Sequence, residues 1–141
     1  MRALALDVGS KTIGLAMTDE ARIAAHPLTV LSRIGNSGDA AAVAAVVIEH
    51  GVTDVVVGMP FELSGKLGHR ARRVRDFLAA LREILPAGAR LHEQDERFTT
   101  AEAERALIAA DVPRARRRSV IDGHAAALIL RAWLDVQRPR G

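Results

Sequence analysis

The stretch Ala3–Gly14, with the sequence ALALDVGSKTIG, constrains the fold more than any other part of this chain. A first apolar run ends at Asp7, and a second apolar run begins after a turn containing Gly9 and Ser10. Short apolar runs bounded by turn residues are typical of strands buried on both faces, and the turn predicts a hairpin. Asp7 should therefore lie near the end of a central strand, where a carboxylate needs a partner or a cation. We interpret it as a ligand for a cation.

The remaining pattern predicts a single α/β domain. Strands are predicted over residues 3–7, 13–18, about 23–31, 53–58 and 90–96, and helices over about 40–50, 70–85, 99–110 and 119–136. A hairpin meander followed by parallel strands with crossover helices predicts one mixed five-stranded sheet flanked by helices, as in the ribonuclease H-like layout. We expect this domain to span residues 1–137 and residues 138–141 to form a loose C-terminal tail.

Composition narrows the class of protein further. The chain of 141 residues contains no cysteine, which excludes disulfides and thiolate metal sites and is typical of a reducing compartment. No apolar stretch is long enough for a membrane span, and no secretion signal stands at the start. The expectation is a cytoplasmic protein that does not bind membranes.

Basic residues are concentrated in the second part of the chain. Residues 1–60 hold four Lys/Arg against six Asp/Glu, whereas residues 61–141 hold sixteen against eleven. Arginine binds phosphate through a bidentate fork, although a solvated helix face would show a similar mixture of charges. We predict nucleic-acid contacts, mainly to the backbone, at Lys11, Arg70, Arg73, Arg97, Arg114, Arg116, Arg117 and Arg118.

Three acidic positions are candidates to join one site. Besides Asp7, these are one of the pair Asp95 and Glu96, at the end of the last strand, and Asp122, near the start of the last helix. Strand alternation turns Asp95 and Glu96 to opposite faces without saying which one faces Asp7. Each acid also has a structural reading: Asp7 could close an Asx turn, and Asp122 could form a capping box with Ser119.

Clustered carboxylates favour a particular chemistry. Like charges held close together need a cation to stay ionised, and oxygen ligands without a His or Cys cluster select Mg²⁺ or Mn²⁺. Two such ions about 4 Å apart are suited to phosphodiester hydrolysis. His124 is a further candidate for proton transfer, although a lone histidine is more often a surface or packing residue.

Four motifs together carry a resemblance to a known family. In chain order they are LDVGSKTIGLAMTD, VVGMPFELSGKLG, QDERFTTAEAE and SVIDGHAAALIL. They resemble the YqgF/RuvX family, described as Holliday-junction-resolvase-like and as nucleases that process the 5′ end of precursor 16S ribosomal RNA. The resemblance implies a ribonuclease H-like fold and an Asp–Glu–Asp metal site at Asp7, Glu96 and Asp122. This chain departs from the family pattern at Met59–Phe61, where relatives usually have Leu–Pro followed by a small aliphatic residue.

These observations lead to one expected function and three alternatives. The expectation is a Mg²⁺- or Mn²⁺-dependent nuclease in ribosome maturation, with RNA favoured over DNA, the ribosomal particle as a partner, and a monomeric or homodimeric state. The alternatives are a Holliday-junction DNA endonuclease, a non-catalytic factor that binds ribosomal RNA, and an actin-like ATPase. The ATPase fold needs two such domains, which 141 residues cannot hold.

Overall fold

The computed structural model describes residues 1–60, 68–95 and 114–137, with the side chains of the last helix described from residue 124. The strands are β1 (Arg2–Val8), β2 (Thr12–Thr18), β3 (Ala25–Ser32), β4 (Val52–Met59) and β5 (Arg90–Asp95). The helices in this part of the chain are α1 (Asn36–His50), α2 (His69–Ile84) and α3 (Arg114–Gln137). Within these residues, no helix combines the length and the hydropathy needed to cross a bilayer.

The strands form one mixed sheet in the order β3-β2-β1-β4-β5. Strands β1, β2 and β3 are antiparallel neighbours, while β4 is parallel to both β1 and β5. This arrangement confirms the predicted meander followed by parallel strands. It places β1 in the centre, and the carboxyl ends of β1, β4 and β5 meet at one edge of the sheet, which we call the carboxyl edge.

Side chains along β1 alternate between two core layers, one on each face of the sheet. Leu4, Leu6 and Val8 belong to the larger cluster, which includes residues of α1 and α2. Ala3 and Ala5 belong to a second cluster, formed with α3 through Ala126, Ile129, Leu130, Trp133 and Leu134. Small alanines on this face allow the backbone of α3 to approach the sheet closely, and all the apolar residues named here are nearly or fully buried.

Turn chemistry agrees with the predicted hairpin. The Gly9 N–H donates to the Thr12 carbonyl at 2.8 Å, which closes the turn between β1 and β2. A Cβ atom at Gly9 would lie 3.1 Å from that same oxygen, so glycine suits this close approach. Helix α1 ends, as predicted, at Gly51, which has a left-handed φ of 64°.

Helix α1 begins earlier than predicted. It starts at Asn36 rather than near Ala40, and Gly35, with φ of 138°, is its N-cap residue. Asp39 is therefore the fourth residue of the helix and not its N-cap. Instead, the Asp39 carboxylate reaches back to accept hydrogen bonds from the N–H groups of Ile34 and Gly35.

Helix α3 also begins earlier, at Arg114 instead of Ser119. The basic run 114–118 was expected to precede the helix, but it forms its first turns, in keeping with the high helix propensity of arginine. Asp122 is consequently the ninth residue of the helix, which excludes the alternative interpretation of Asp122 as part of a capping box with Ser119. The predicted helix over 99–110 lies outside the described residues, as does the loop 61–67.

Candidate functional site

Asp7 occupies the carboxyl end of the central strand. It has the same parity along β1 as Ala3 and Ala5, so it lies on the face that α3 covers. It is half-buried and pairs across the antiparallel ladder with Gly14. On the other side, the parallel ladder with β4 ends at the pair Leu6–Val57, one residue before Asp7. On the β2 side, a residue without a side chain therefore lies beside this carboxylate.

The register of β5 shows on which face of the sheet Asp95 lies. In the ladder Asp95 pairs with Met59, a fully buried member of the core under α1 and α2. His92 pairs with Val56 and contacts the Trp133 ring on the α3 face. Asp95 therefore lies on the face of the sheet opposite Asp7, and its side chain is exposed. This placement disfavours Asp95 as a companion of Asp7, while Glu96 lies outside the described residues.

The backbone of α3 places position 122 on the helix face that packs against the sheet. Position 122 precedes the buried Ala126 by four residues, which places it on the same helix face. Trp133 packs at the opposite edge of the sheet, beside Asp54, which pairs with Ala3. Positions 133 and 122 are eleven helical residues apart, a rise of about 16 Å, and Ala3 and Asp7 are four strand residues apart, a rise of about 13 Å. The helix is therefore long enough for position 122 to reach the carboxyl edge.

The described side chains do not by themselves complete a metal site. Within residues 1–60, 68–95 and 124–137, no three His, Asp or Glu side chains form a group that could hold an ion. Two of the three predicted ligands, Glu96 and Asp122, have side chains outside this set. The site assignment Asp7, Glu96 and Asp122 stays a prediction. His124 is exposed on α3.

Predicted nucleic-acid contacts fall into three groups. Lys11 is exposed in the hairpin turn just beyond Asp7. Arg70 and Arg73 lie in the first turns of α2, where Arg70 is exposed and Arg73 is half-buried. The backbone positions of Arg114, Arg116, Arg117 and Arg118 lie in the first two turns of α3, whereas Arg97 lies outside the described residues.

An open pocket of about 390 Å³ adjoins the hairpin turn. It is lined by Ser10, Arg33, Gly35, Asn36 and Arg73. Since α1 and α2 contribute to it, the pocket opens on the side of the sheet away from α3. Ser10 and Arg33 are not predicted as site residues from the sequence, because neither belongs to a charged run or a periodic pattern.

Arg33 ties the hairpin turn to the start of α1. Its Nε donates to Asp39 at 2.7 Å, and its Nη1 donates to the Gly9 carbonyl at 2.8 Å. A further hydrogen bond joins its Nη2 to Asn36, and the guanidinium lies 5.7 Å from the centroid of the Phe77 ring. The Arg33 backbone N–H also donates to the Lys11 carbonyl at 2.9 Å. The turn that follows Asp7 is thereby fixed.

Asp39 is the charge partner that holds Arg33. Its side chain is only 3% exposed. Burial raises the pKa of Asp39, but hydrogen bonds from the Ile34 N–H, the Arg33 guanidinium and the Gly35 N–H outweigh this effect and leave the pKa below its ordinary value. The carboxylate is therefore ionised at neutral pH, and Arg33 keeps a fixed counter-ion.

A second polar cluster lies at the opposite edge of the sheet. Asp54 accepts hydrogen bonds from Arg22 and lies 2.8 Å from Nε2 of His92. The Arg22 guanidinium and the His92 ring contact Trp133 with separations of 5.6 Å and 5.1 Å between group centres. Burial raises the pKa of Asp54, but the contacts with His92 and Arg22 lower it below the ordinary value. Through Trp133, this cluster joins α3 to β4, to β5 and to the turn that contains Arg22.

The architecture is similar to that of solved Holliday junction resolvases. A fowlpox virus resolvase, solved with its substrate Holliday junction DNA, superposes with a TM-score of 0.61 at 9% identity over 99% of this chain and 100% of that one. The RuvC protein of Thermus thermophilus, in complex with a Holliday junction, gives a TM-score of 0.56 at 20% identity over 95% and 96%. The chain therefore has the ribonuclease H-like fold of the resolvases.

Sequence comparison identifies the family within that class. The family model described as "RuvX: Holliday junction resolvase" matches residues 1–136. A Myxococcus xanthus protein is 45% identical over 139 residues, which cover 99% of this chain and 91% of that protein. A Geobacillus kaustophilus protein is 44% identical over 140 residues, covering 98% and 100%. Both carry the name "Putative pre-16S rRNA nuclease". The chain belongs to the RuvX family, which confirms the resemblance.

Proposed function

We propose that this protein is a divalent-metal-dependent nuclease that matures the 5′ end of precursor 16S ribosomal RNA. The observation that carries the proposal is the position of Asp7 at the carboxyl end of the central strand, half-buried, on the α3 face and opposite Gly14. The printed names of the relatives supply the substrate. Ligands in open α/β sheets bind outside the carboxyl ends of the strands, which is where Asp7 lies.

Asp7, Glu96 and Asp122 are the proposed ligands of Mg²⁺ or Mn²⁺, with two ions in the complete site. Hard carboxylate oxygens match both metals, and Gly14 beside Asp7 leaves room next to its carboxylate. When bound, such ions activate water and stabilise the leaving oxygen of a phosphodiester. The role of the chain is to hold these oxygens on a central strand and on a helix packed against it.

Basic residues on both sides of the carboxyl edge are proposed to hold the substrate backbone. Lys11 stands in the turn directly after β1, and the run 114–118 begins the helix that carries Asp122. Such contacts fix the register of a strand over the site without reading its sequence. Their strength depends on salt, since each neutralised phosphate releases counterions.

The test compares wild type with Asp7→Asn on end-labelled precursor 16S RNA, unrelated single-stranded RNA and a four-way DNA junction. Each substrate is incubated with Mn²⁺, Mg²⁺ or EDTA. Since changes around a metal ligand already cost about 10- to 100-fold, loss of a ligand oxygen should lower cleavage by at least about 100-fold. EDTA should abolish wild-type cleavage.

Asp76→Asn is the matched control, because Asp76 is an exposed carboxylate on α2, which packs on the face of the sheet opposite Asp7. It should cleave like wild type. Full activity in the purified Asp7→Asn variant would refute the proposal. Tight RNA binding without cleavage under any metal condition would favour the non-catalytic factor instead.

A DNA junction endonuclease is the second candidate. The description of the matching family model as a Holliday junction resolvase favours it. Junctions have two-fold symmetry, so this activity calls for a symmetric dimer that places two sites on one substrate. Preferential cutting of the junction, together with a dimer in sedimentation experiments, would select this candidate over RNA maturation.

A further inference from the structure

The pocket beside the hairpin turn has a lining suited to an anion. Two arginines, Arg33 and Arg73, line it together with Ser10, and no acidic residue is among its lining residues. Arginine offers planar N–H donors that match the geometry of a phosphate oxygen pair. The combination of a hydroxyl-bearing residue and two guanidinium groups selects a phosphate over an apolar ligand.

Arg33 is held in place before any ligand arrives. Asp39, the Gly9 carbonyl and Asn36 use three of its five N–H donors, and its plane packs near Phe77. Its side chain is only 12% exposed. A donor group fixed in this way loses little conformational freedom on binding, which favours affinity.

Arg73 supplies charge that the described protein does not neutralise. It is half-buried, and it makes no ion pair with any residue in the described ranges 1–60, 68–95 and 124–137. It stands one helical turn before Phe77, the residue that Arg33 covers. Two neighbouring guanidinium groups with one carboxylate between them leave the pocket with an excess of positive charge. An anion in the pocket would offset this excess.

The pocket and Asp7 lie on opposite sides of one turn. Ser10 follows Asp7 by three residues, so their Cα atoms are at most about 11 Å apart. Asp7 faces α3, whereas the pocket opens toward α1 and α2. A strand that reaches from one to the other must cross the hairpin turn, where Lys11 is exposed.

We propose that this pocket binds a phosphate of the RNA substrate other than the phosphate that is cleaved. The inference rests on the proposed nuclease function and adds a direction to it: the substrate strand crosses the β1–β2 turn from the α3 side to the α1/α2 side. Ser10, Arg33 and Arg73 then hold the strand at a fixed distance from Asp7. The contact therefore strengthens binding of the strand from outside the metal site.

Binding of a short fluorescein-labelled single-stranded RNA, followed by fluorescence anisotropy, tests the pocket directly. All variants carry Asp7→Asn, and EDTA is present, so the RNA stays intact. Arg73→Gln should weaken binding about tenfold, the effect of one charge-assisted hydrogen-bonded contact. It should also reduce the slope of log K against log salt by about 0.7, the value for one phosphate of a single strand.

Two further variants separate a phosphate contact from general charge. Arg82→Gln makes the same charge change at an exposed position in the last turn of α2 and should alter binding less than twofold. Arg73→Lys keeps the charge without the fork, so it should retain the salt slope and bind with intermediate affinity. Thermal unfolding of each variant confirms that it is folded. Equal effects of Arg73→Gln and Arg82→Gln would overturn the inference.

Cleavage by proteins that retain Asp7 provides the second readout. Arg73→Gln should raise KM about tenfold and leave kcat unchanged, because the lost contact is made equally in the ground and transition states. A fall in kcat with no change in KM would overturn the pocket as a substrate subsite. RNA that wild type binds but does not cut would refute the nuclease alone, since the anisotropy series still tests the pocket. RNA binding that is insensitive to Arg73→Gln would refute the pocket alone.

Discussion

Replacing Asp39 tests the physical basis of the turn that follows Asp7. Asp39 is 3% exposed and accepts hydrogen bonds from Arg33, Ile34 and Gly35. Asp39→Asn keeps the shape of the side chain but removes the charge opposite a guanidinium that is itself 12% exposed. Removing one partner of a buried ion pair typically costs about 3–5 kcal/mol, because the other charge is left uncompensated. We expect a loss within that range.

The expected loss is large for a protein of this size. With a total free energy of unfolding of about 5–15 kcal/mol, the variant gives up a substantial share of its stability. At about 3 °C per kcal/mol for a chain near 150 residues, the midpoint of thermal unfolding should fall by about 10–15 °C. Urea unfolding followed by far-UV circular dichroism measures the change directly.

Acid pH should remove the stabilisation that the Asp39–Arg33 ion pair gives the wild-type protein. The folded-state pKa of Asp39 lies below its ordinary value, so its ion pair stabilises the fold fully above about pH 4, the unfolded value. This stability is lost as the pH falls from there through the folded-state pKa. The difference in unfolding free energy between wild type and Asp39→Asn should therefore shrink with acidification, and it should be constant from pH 6 to 8.

A double-mutant cycle with Arg33→Met identifies the cause. If the two side chains act as a pair, the double variant should be more stable than the sum of the single losses predicts. Asp76→Asn, an exposed carboxylate on α2, should change stability by less than about 0.5 kcal/mol. A loss below about 1 kcal/mol for Asp39→Asn, or strict additivity in the cycle, would refute the reasoning.

Two further predictions concern the two faces of the sheet. Leu6→Ala, in the fully buried core under α1 and α2, should cost about 2–5 kcal/mol in urea unfolding, and a cost below about 1 kcal/mol would contradict the packing described. Arg22→Met should cost about 1–3 kcal/mol because Asp54 loses a charged hydrogen-bond donor while Trp133 loses a stacking partner. The loss of stability in Arg22→Met should become smaller as the pH falls below about 4, because Asp54 is then progressively protonated in both the folded and the unfolded protein. A pH-independent loss would exclude Asp54 as its cause.

Local patterns were sufficient to predict the sheet. The two apolar runs around Gly9 specify the hairpin because turn and strands are adjacent in sequence. The order of helices and strands then requires β4 and β5 to be parallel to β1. The start of β3 was placed at Ile23, but that residue is 71% exposed and follows Arg22, whose φ of 57° belongs to the turn. An isoleucine in a turn carries no sequence signal that distinguishes it from a strand residue.

Tertiary contacts account for what the sequence could not predict. Asp7 was identifiable because it interrupts an apolar run. Arg33 and Asp39 could not be paired in advance, since neither departs from ordinary surface composition until the start of α1 brings them together. The pocket follows from that pair and from Arg73 on another helix, so no linear motif contains it. The early start of α3 could not be read from hydrophobic periodicity, because the run 114–118 is almost entirely basic, although arginine has a high helix propensity.

The central position of β1 determines when the site around Asp7 is lost during unfolding. Each side of this strand is hydrogen-bonded to a neighbour, β2 on one and β4 on the other, so its amide protons should exchange with solvent only when the whole domain unfolds. Asp7 is attached to that most protected segment. Local opening at the outer strands β3 and β5 therefore leaves its backbone undisturbed. On heating, the carboxylate should keep its place until the cooperative transition itself.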